Sequence, residues 1–147
     1  MNFAKWTIRS ALDSLQKKEC SSRELVSFCL DRIQRVDSNI HAFLTVDREG
    51  ALRQADEADR MRAKDSIKPL LGIPIACKDL FTTKELRTTA GAKIIDNYLP
   101  PFNASVVGRL KKAGAIIIGK TNQDAWGHGS SGENSDFGVT KNPYDFT

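Results

Sequence analysis

The stretch "LLGIPIACKDLF", residues 70–81, is an apolar run that ends on two adjacent charges. Residues 71–78 show no obvious polar face and are bounded by glycine and proline, which predicts a buried β-strand. A strand with two apolar faces is typical of the middle of a parallel sheet that helices cover. Lys78 and Asp79 close this strand, and a charged side chain is costly to remove from water. The stretch therefore predicts an α/β core and raises the question of what Lys78 does there.

A second strand follows after one helix. Asn103 is predicted to cap that helix, and Gly114 to end it. The apolar side of the helix consists of Val106, Val107 and Leu110. "AIIIG", residues 115–119, is then a short and wholly apolar strand. Strand, helix and strand in this order indicate a right-handed crossover between parallel strands.

The residues before this unit are mainly helical in pattern. Ser21 and Glu24 have the spacing of a capping box, and apolar residues recur behind them at helical intervals. The predicted elements are a helix over about 5–17, an amphipathic helix over 22–37, a short strand or extended connector in "IHAFLTV", and a helix from Asp47 to about Lys64. The last thirty residues are rich in Gly, Ser, Asn and Asp, and this composition predicts irregular backbone.

Composition restricts the class of protein. The 147 residues suit one domain, and 40% hydrophobic with 27% charged residues is typical of a globular chain. The formal net charge is +4, but the Lys and Arg residues are interleaved with acidic residues. The charge is therefore weak evidence for a nucleic-acid partner. Three widely spaced cysteines predict reduced thiols rather than a disulfide framework or a zinc site. The chain begins with no apolar signal core, so the predicted location is the cytoplasm.

Two motifs suggest chemistry that the surrounding pattern does not support. "GAIIIGKT", residues 114–121, matches the P-loop consensus, but its four middle residues are the predicted strand rather than a phosphate-binding loop. His41 and His128 are the only histidines, and neither has a ligand at metal-binding spacing, so we expect no metal site. We expect His128 to pack within its loop.

Lys78 has two interpretations. The first is a surface lysine at the end of a strand. The second is a general base that removes a proton from a serine hydroxyl, as in Ser-Lys hydrolases. A lysine base that works near neutral pH needs a pKa roughly three units below 10.4, and burial beside apolar residues shifts the pKa in that direction. Because neighbouring side chains on a strand point to opposite faces, Asp79 need not neutralise Lys78.

The sequence from about Leu70 to Asp145 resembles that of the amidase signature family. The segments that match, in order, are "GIPIACKD", "RTTAGAK", "NASVVGRLKKAGAIIIGKTN", "GSSGENSDFG" and "TKNPYD". Within the family, this sequence is most similar to the A subunits of the aspartyl/glutamyl-tRNA amidotransferases. Cys77 and Gly132 stand where the family more often has an aliphatic residue and a threonine.

The resemblance implies a Ser-Ser-Lys triad in which Lys78 is the base. In this family both catalytic serines lie in a Gly/Ser-rich segment that begins shortly after the "NPYD" turn, whereas this sequence ends at Thr147. Ser130 and Ser131 are not those serines. They either support Lys78, line the amide-binding pocket, or only stabilise a turn. We therefore expect a catalytically incomplete fragment.

The expected architecture is the N-terminal portion of an amidase-signature fold, with a helical N-terminus and a mixed central sheet covered by helices. Residues 1–147 would form part of a single amidase domain, mainly helical over 1–66 and rich in strands and loops over 67–147. The resemblance implies a glutaminase that supplies ammonia to a mischarged tRNA held by partner B and C subunits, where ATP and Mg²⁺ are used. It implies no cofactor in this chain. A free-standing amidase for small amides and a non-catalytic scaffold are the alternatives.

Overall fold

The computed structural model describes residues 3–145 as an α/β fold with helices on both faces of a small mixed sheet. The helices and strands are α1 (Ile8–Gln16), α2 (Ser22–Ile40), β1 (Phe43–Val46), α3 (Arg48–Ala63), β2 (Pro74–Lys78), α4 (Ser105–Lys112) and β3 (Ile116–Thr121). Short 3-10 turns occupy Phe3–Lys5, Lys93–Ile95 and Ala125–Gly127. The two ends of the predicted domain 1–147 lie outside the described residues.

The first residues of α2 and α3 are fixed by local hydrogen bonds that the sequence predicts. Ser21 N–H donates to the Glu24 carboxylate at 2.8 Å, and Glu24 N–H donates to Ser21 Oγ at 3.1 Å, which completes the capping box. At α3 the Asp47 carboxylate accepts from Gly50 N–H at 2.9 Å. Both predicted caps are confirmed, and α2 continues three residues beyond the predicted end, to Ile40.

The predicted cap of α4 is wrong. The helix begins at Ser105, and the residue at its cap position makes no side-chain capping bond. The Asn103 side-chain carbonyl accepts instead from Lys84 N–H at 2.8 Å, across the loop that follows β2. Of the predicted apolar side, Val107 is fully buried but Val106 is 42% exposed. Only a narrow apolar stripe of α4 packs against the sheet.

The sheet has the order β1-β3-β2, with β2 parallel and β1 antiparallel to β3. The predicted parallel crossover from β2 through α4 to β3 is confirmed. However, β3 and not β2 is the central strand, so β2 is an edge strand of the described sheet. Gly114 ends the crossover with a φ of +94°, and a Cβ there would lie 2.7 Å from the Leu71 backbone, which only glycine avoids.

A β-bulge interrupts the pairing of β2 with β3. Ile75 pairs with Ile117, but the next pair is Ala76 with Gly119, so β3 has one extra residue at this point. The following pair is Cys77 with Lys120. Because directly paired side chains share a face, the bulge places Lys120 on the Cys77 side of the sheet.

The core has one apolar cluster on each face of β3. Ile116 and Ile118 pack against the inner sides of α2 and α3, whereas Ile117 packs with Cys77 of β2 and Val107 of α4. A smaller cluster joins α1 to the first turn of α2. Within residues 3–145, no helix combines the length and apolar character needed to cross a bilayer. The described chain therefore packs helices against both faces of β3 and leaves the ends of β2 and β3 facing two long loops.

Candidate functional site

The candidate site lies at the carboxyl ends of the parallel strands β2 and β3. Lys78 is the last residue of β2 and pairs with Thr121, the last residue of β3. The loops that follow these strands, residues 79–92 and 122–138, meet above this edge. Carboxyl ends of parallel strands are where α/β folds most often place their binding sites, because several loops converge there.

Lys78 is exposed in the structure, as the first of its two interpretations predicts, and it lacks the burial that the general-base interpretation requires. The reason is its place in the sheet. β2 is an edge strand of the described chain, and the alternation of side chains buries Cys77 and Asp79 while turning Lys78 outward. The catalytic role assigned to Lys78 stays a prediction.

The buried lysine of this region is Lys120, on the central strand. Its side chain and that of Asp79 are both fully buried, and Lys120 Nζ lies 3.2 Å from Asp79 Oδ1 as an ion pair. Nζ also donates to the carbonyl oxygen of Phe81 at 2.8 Å and to Thr88 Oγ1 at 2.7 Å. Nζ thus makes two hydrogen bonds, and Asp79 Oδ1, which accepts no hydrogen bond within residues 3–145, faces it as the ion-pair partner.

Asp79 connects this ion pair to the rest of its loop. Its Oδ2 accepts from Thr89 N–H at 2.8 Å and from Thr89 Oγ1 at 2.6 Å. The Asp79 backbone N–H donates to Thr121, and its carbonyl oxygen accepts from Ala90 N–H. Asp79 thus faces away from Lys78, as the alternation of side chains predicts, and it binds Thr89. The backbone on both sides of the loop is tied to the end of β2.

Burial shifts the protonation of the two groups that share this face. Removal from water lowers the pKa of Lys120, while the nearby Asp79 carboxylate acts in the opposite direction. Burial raises the pKa of the Cys77 thiol, and the Lys120 charge opposes that shift. The raised pKa favours a neutral Cys77 thiol beside the Lys120–Asp79 contact.

The second loop is organised by Asp124. Its carboxylate accepts from Gly132 N–H at 3.0 Å and from Asn134 N–H at 2.9 Å, which closes the "GHGSSGEN" segment into a compact turn. Ser130 and Ser131 are exposed on that turn, and Ser131 Oγ accepts from Glu133 N–H at 3.3 Å. Within residues 3–145, neither serine forms a hydrogen bond with Lys78. The local bond at Ser131 favours the turn-stabilising interpretation and leaves both hydroxyls accessible.

The two loops are joined to each other through main-chain hydrogen bonds. Trp126 N–H donates to the Ala90 carbonyl at 2.7 Å, and Asp136 N–H donates to that of Gly91 at 3.0 Å. Trp126 and Ala90 have φ values of +59° and +52°, which are uncommon for residues with side chains. Such conformations persist where the surrounding structure fixes them, so this contact is a rigid part of the site.

Arg87 of the "RTTAGAK" segment fastens the first loop to β1. Its guanidinium donates to the Leu44 carbonyl at 2.8 Å and to Thr45 Oγ1 at 2.9 Å, and it forms an ion pair with Asp96. The same group lies over the Phe137 ring, 5.3 Å from its centroid. One side chain thereby holds together three segments that are distant in sequence.

The remaining predicted motifs have structural roles or none. In "GAIIIGKT", Gly114 lies two residues beyond the end of α4 and Ile116–Thr121 form β3, so the prediction of a strand in place of a phosphate-binding loop is confirmed. The expectation that His128 packs within its loop is wrong: its side chain is exposed, and its backbone N–H donates to the Ala125 carbonyl. No group of three or more His, Cys, Asp or Glu side chains could hold a metal ion in the part of the chain that the structure describes.

Sequence reasoning missed the Lys120–Asp79 pair. A signal was present, since Lys120 directly follows the wholly apolar "AIIIG" strand and must either leave the core or find a buried partner. The same lysine completes the P-loop match, and rejecting that motif left its charge without an assigned partner. The bulge that turns Lys120 toward Asp79 has no sequence signature that we can identify.

Comparison with known proteins places the chain in a family. A family model described as Amidase matches residues 24–147. The chain belongs to the amidase family. It is 49% identical over 138 residues to the A subunit of the glutamyl-tRNA(Gln) amidotransferase of Geobacter metallireducens, covering 94% of this chain and 28% of that protein. The predicted membership and the amidase-signature fold class are confirmed.

Solved structures of amidase-family proteins have the same fold over this region. The A subunit of the glutamyl-tRNA(Gln) amidotransferase from Thermotoga maritima is 33% identical, with a TM-score of 0.78 over 99% of this chain and 29% of its own. A peptide amidase from Stenotrophomonas maltophilia is 29% identical, with a TM-score of 0.89 over 99% of this chain and 31% of its own. The chain spans less than a third of the length of each of these relatives.

Proposed function

We propose that these residues are the N-terminal part of a glutaminase subunit of a tRNA-dependent amidotransferase. The observation that carries the proposal is the 46–49% identity, over nearly the whole chain, to several proteins named as A subunits of glutamyl-tRNA(Gln) amidotransferase. In this proposal the whole protein hydrolyses glutamine, and the released ammonia amidates a mischarged glutamyl-tRNA(Gln) or aspartyl-tRNA(Asn). B and C subunits hold that tRNA and use ATP and Mg²⁺, and the complex is cytoplasmic.

The mechanism assigned to the family gives Lys78 the role of proton acceptor. A neutral Lys78 amine takes a proton, through a relay serine, from a second serine whose oxygen attacks the side-chain amide carbon of glutamine. Ammonia leaves with a returned proton, and water then hydrolyses the serine ester. The location of Lys78 at the carboxyl end of β2, beside two loops fixed by buried hydrogen bonds, supports this assignment.

The 147 residues supply the lysine but no residue that matches the serine pair of the family. Ser130 and Ser131 are exposed on the second loop, where they could line an amide-binding pocket without acting as nucleophiles. We therefore propose that the chain alone does not hydrolyse glutamine. Release of ammonia from glutamine by the purified chain, above that of a Lys78→Ala variant, would contradict this part of the proposal.

A chimera tests the role of Lys78 directly. Residues 1–147 replace the matching segment of the Geobacter metallireducens protein, and glutamine hydrolysis is followed by ammonia release. We expect Lys78→Ala to lower turnover by at least about 100-fold, the usual contribution of a positioned base. Lys112→Ala, at an exposed lysine that ends α4, is the matched control and should stay within about twofold. A Lys78→Ala chimera that keeps near-native turnover would overturn the assignment.

A free-standing amidase for small amides is the second candidate. It is favoured by the higher structural similarity to the peptide amidase, with a TM-score of 0.89 against 0.78 for the tRNA-linked protein. The two candidates differ in substrate. If the chimera hydrolyses peptide or aliphatic amides faster than glutamine, the second function is supported and the first is not. A chimera that folds but hydrolyses neither substrate would favour the non-catalytic scaffold.

A further inference from the structure

The buried carboxylate of Asp79 lies directly behind the proposed base. Lys78 and Asp79 are consecutive, and their side chains leave the strand on opposite faces. A fully buried carboxylate keeps a strong field, because little water surrounds it to weaken the charge. Left unbalanced, that field would hold a proton on the neighbouring Lys78 amine and would oppose its use as a base.

Lys120 is placed to cancel this field. Its ammonium lies 3.2 Å from Asp79 Oδ1, and neither side chain is exposed to water. The same ammonium donates to the Phe81 carbonyl, so it also fixes the backbone that follows Lys78. An ion pair has no net charge, and at a distance larger than its own length its field is small.

We propose that Lys120 is a positioning residue for Lys78, which balances the charge of Asp79 and fixes the end of β2 from which the Lys78 amine projects. The proposal rests on the role of Lys78 as the base in the proposed function. In this proposal Lys120 does not react, and its charge allows the Lys78 amine to lose a proton more easily.

Few other titratable groups act on this pair. On β2 the Cys77 thiol faces Lys120, and burial keeps that thiol neutral. On α4 the charge of Lys111 acts on Cys77 from the other side of the same apolar cluster. The loop groups that contact Nζ are a carbonyl and a threonine hydroxyl, which do not titrate. Asp79 is therefore the charge that Lys120 has to balance.

The size of the effect follows from Coulomb's law. At a separation of about 8 Å, which is roughly one Debye length at physiological ionic strength, two charges still interact. At that distance an unbalanced carboxylate moves the midpoint of an amine titration upward by about 0.4 pH units in water. At an effective dielectric constant of about 20, the shift is about 1.5 pH units.

The test is an NMR titration of the Lys78 side chain in the full 147-residue chain. Lysine is labelled with ¹³C and ¹⁵N, and Lys78→Arg identifies the signal by its loss. In Lys120→Met, which keeps the aliphatic stem and removes the charge, we expect the midpoint to rise by about 0.4–1.5 pH units. In Asp79→Asn/Lys120→Met both charges are absent, and the midpoint should return to within about 0.2 units of the unchanged chain.

An unshifted midpoint in folded Lys120→Met would overturn the proposal. If the single variant does not fold, Asp79→Asn is the second test: the unpaired Lys120 charge should lower the Lys78 midpoint, and an unshifted midpoint would overturn the proposal. A shift of more than about 0.4 units in the double variant would then contradict charge balance. Lys112→Met is the control for loss of a remote lysine. The titration needs no glutamine, so its failure and a failure of the glutaminase proposal are distinguishable.

Discussion

Replacing Lys120 with methionine should destabilise the chain more than any surface substitution. The change removes the ammonium and leaves the Asp79 carboxylate fully buried, with the Thr89 donors but no cation. Phe81 and Thr88 each lose a hydrogen-bond donor. Breaking a buried ion pair on one side typically costs about 3–5 kcal/mol, because an uncompensated charge remains in the interior.

Removing both charges should cost far less. In Asp79→Asn/Lys120→Met the side-chain amide that replaces the carboxylate can still accept from Thr89, and no ion remains buried. We expect a loss of about 1–2 kcal/mol, the usual consequence of a few imperfect hydrogen bonds. The double variant should therefore be at least about 1–2 kcal/mol more stable than the Lys120→Met single variant, although it carries one more substitution.

Urea unfolding followed by circular dichroism measures these free energies, with thermal melts as a second reading. A loss of about 3–5 kcal/mol corresponds to a fall in Tm of roughly 10–15 °C for a chain of this length. Lys112→Met, at an exposed lysine, should change stability by less than about 0.5 kcal/mol. The reasoning is refuted if Lys120→Met costs under about 1 kcal/mol at an unchanged m-value, or if the double variant is less stable than the single one.

Three further predictions concern the caps, the sheet and the thiols. Hydrogen bonds from the α2 cap lower the pKa of Glu24, so the unfolded chain binds its proton at a higher pH than the native chain. The contribution of Glu24 to the free energy of unfolding should be complete above about pH 4.5 and be lost as the pH falls through the lowered pKa of the native chain. A Glu24→Gln variant should not show this loss of stability in urea unfolding measured across that pH range. Gly119→Ala should destabilise by about 1–3 kcal/mol in urea unfolding, since a Cβ would lie 2.5 Å from a β1 carbonyl oxygen. Its control is Gly108→Ala in α4, where an added Cβ would point into open space among the described residues, and this change should stabilise by about 0.5–1 kcal/mol. Cys77 should react with iodoacetamide more slowly than Cys20 in a mass-spectrometric time course, because Cys77 is the more deeply buried; equal rates would contradict its burial.

Local interactions made the helices predictable. The capping box of α2 and the Asp47 cap of α3 each involve residues three positions apart, so sequence spacing contains the whole interaction. The β2–α4–β3 crossover was predictable for a related reason, since the order of elements restricts its topology. The family resemblance added the identity of the larger fold, which no local pattern contained.

Burial depends on partners distant in sequence, and there the predictions failed. Asn103 bonds to Lys84, nineteen positions earlier in the chain, rather than capping the helix beside it. The general-base interpretation of Lys78 required a buried amine at the end of an apolar strand, but the position of a strand in the sheet decides which side chains are covered. The buried lysine is Lys120, and its partner Asp79 is forty-one residues away in sequence.

The extra residue in β3 makes this strand respond unequally to changes in its length. Strict alternation from Ile116 and Ile118 would send Lys120 into the apolar cluster of α2 and α3, and the bulge prevents this. Loss of the single codon for Ile118 would restore regular pairing and leave Lys120 facing Asp79, at the expense of one aliphatic side chain. A codon gained between Ile118 and Lys120 would, under strict alternation, also leave Lys120 on the Asp79 face, but two positions further along β2, opposite Asp79 rather than Cys77. Shortening is therefore the change of length that keeps Lys120 in its native register with β2.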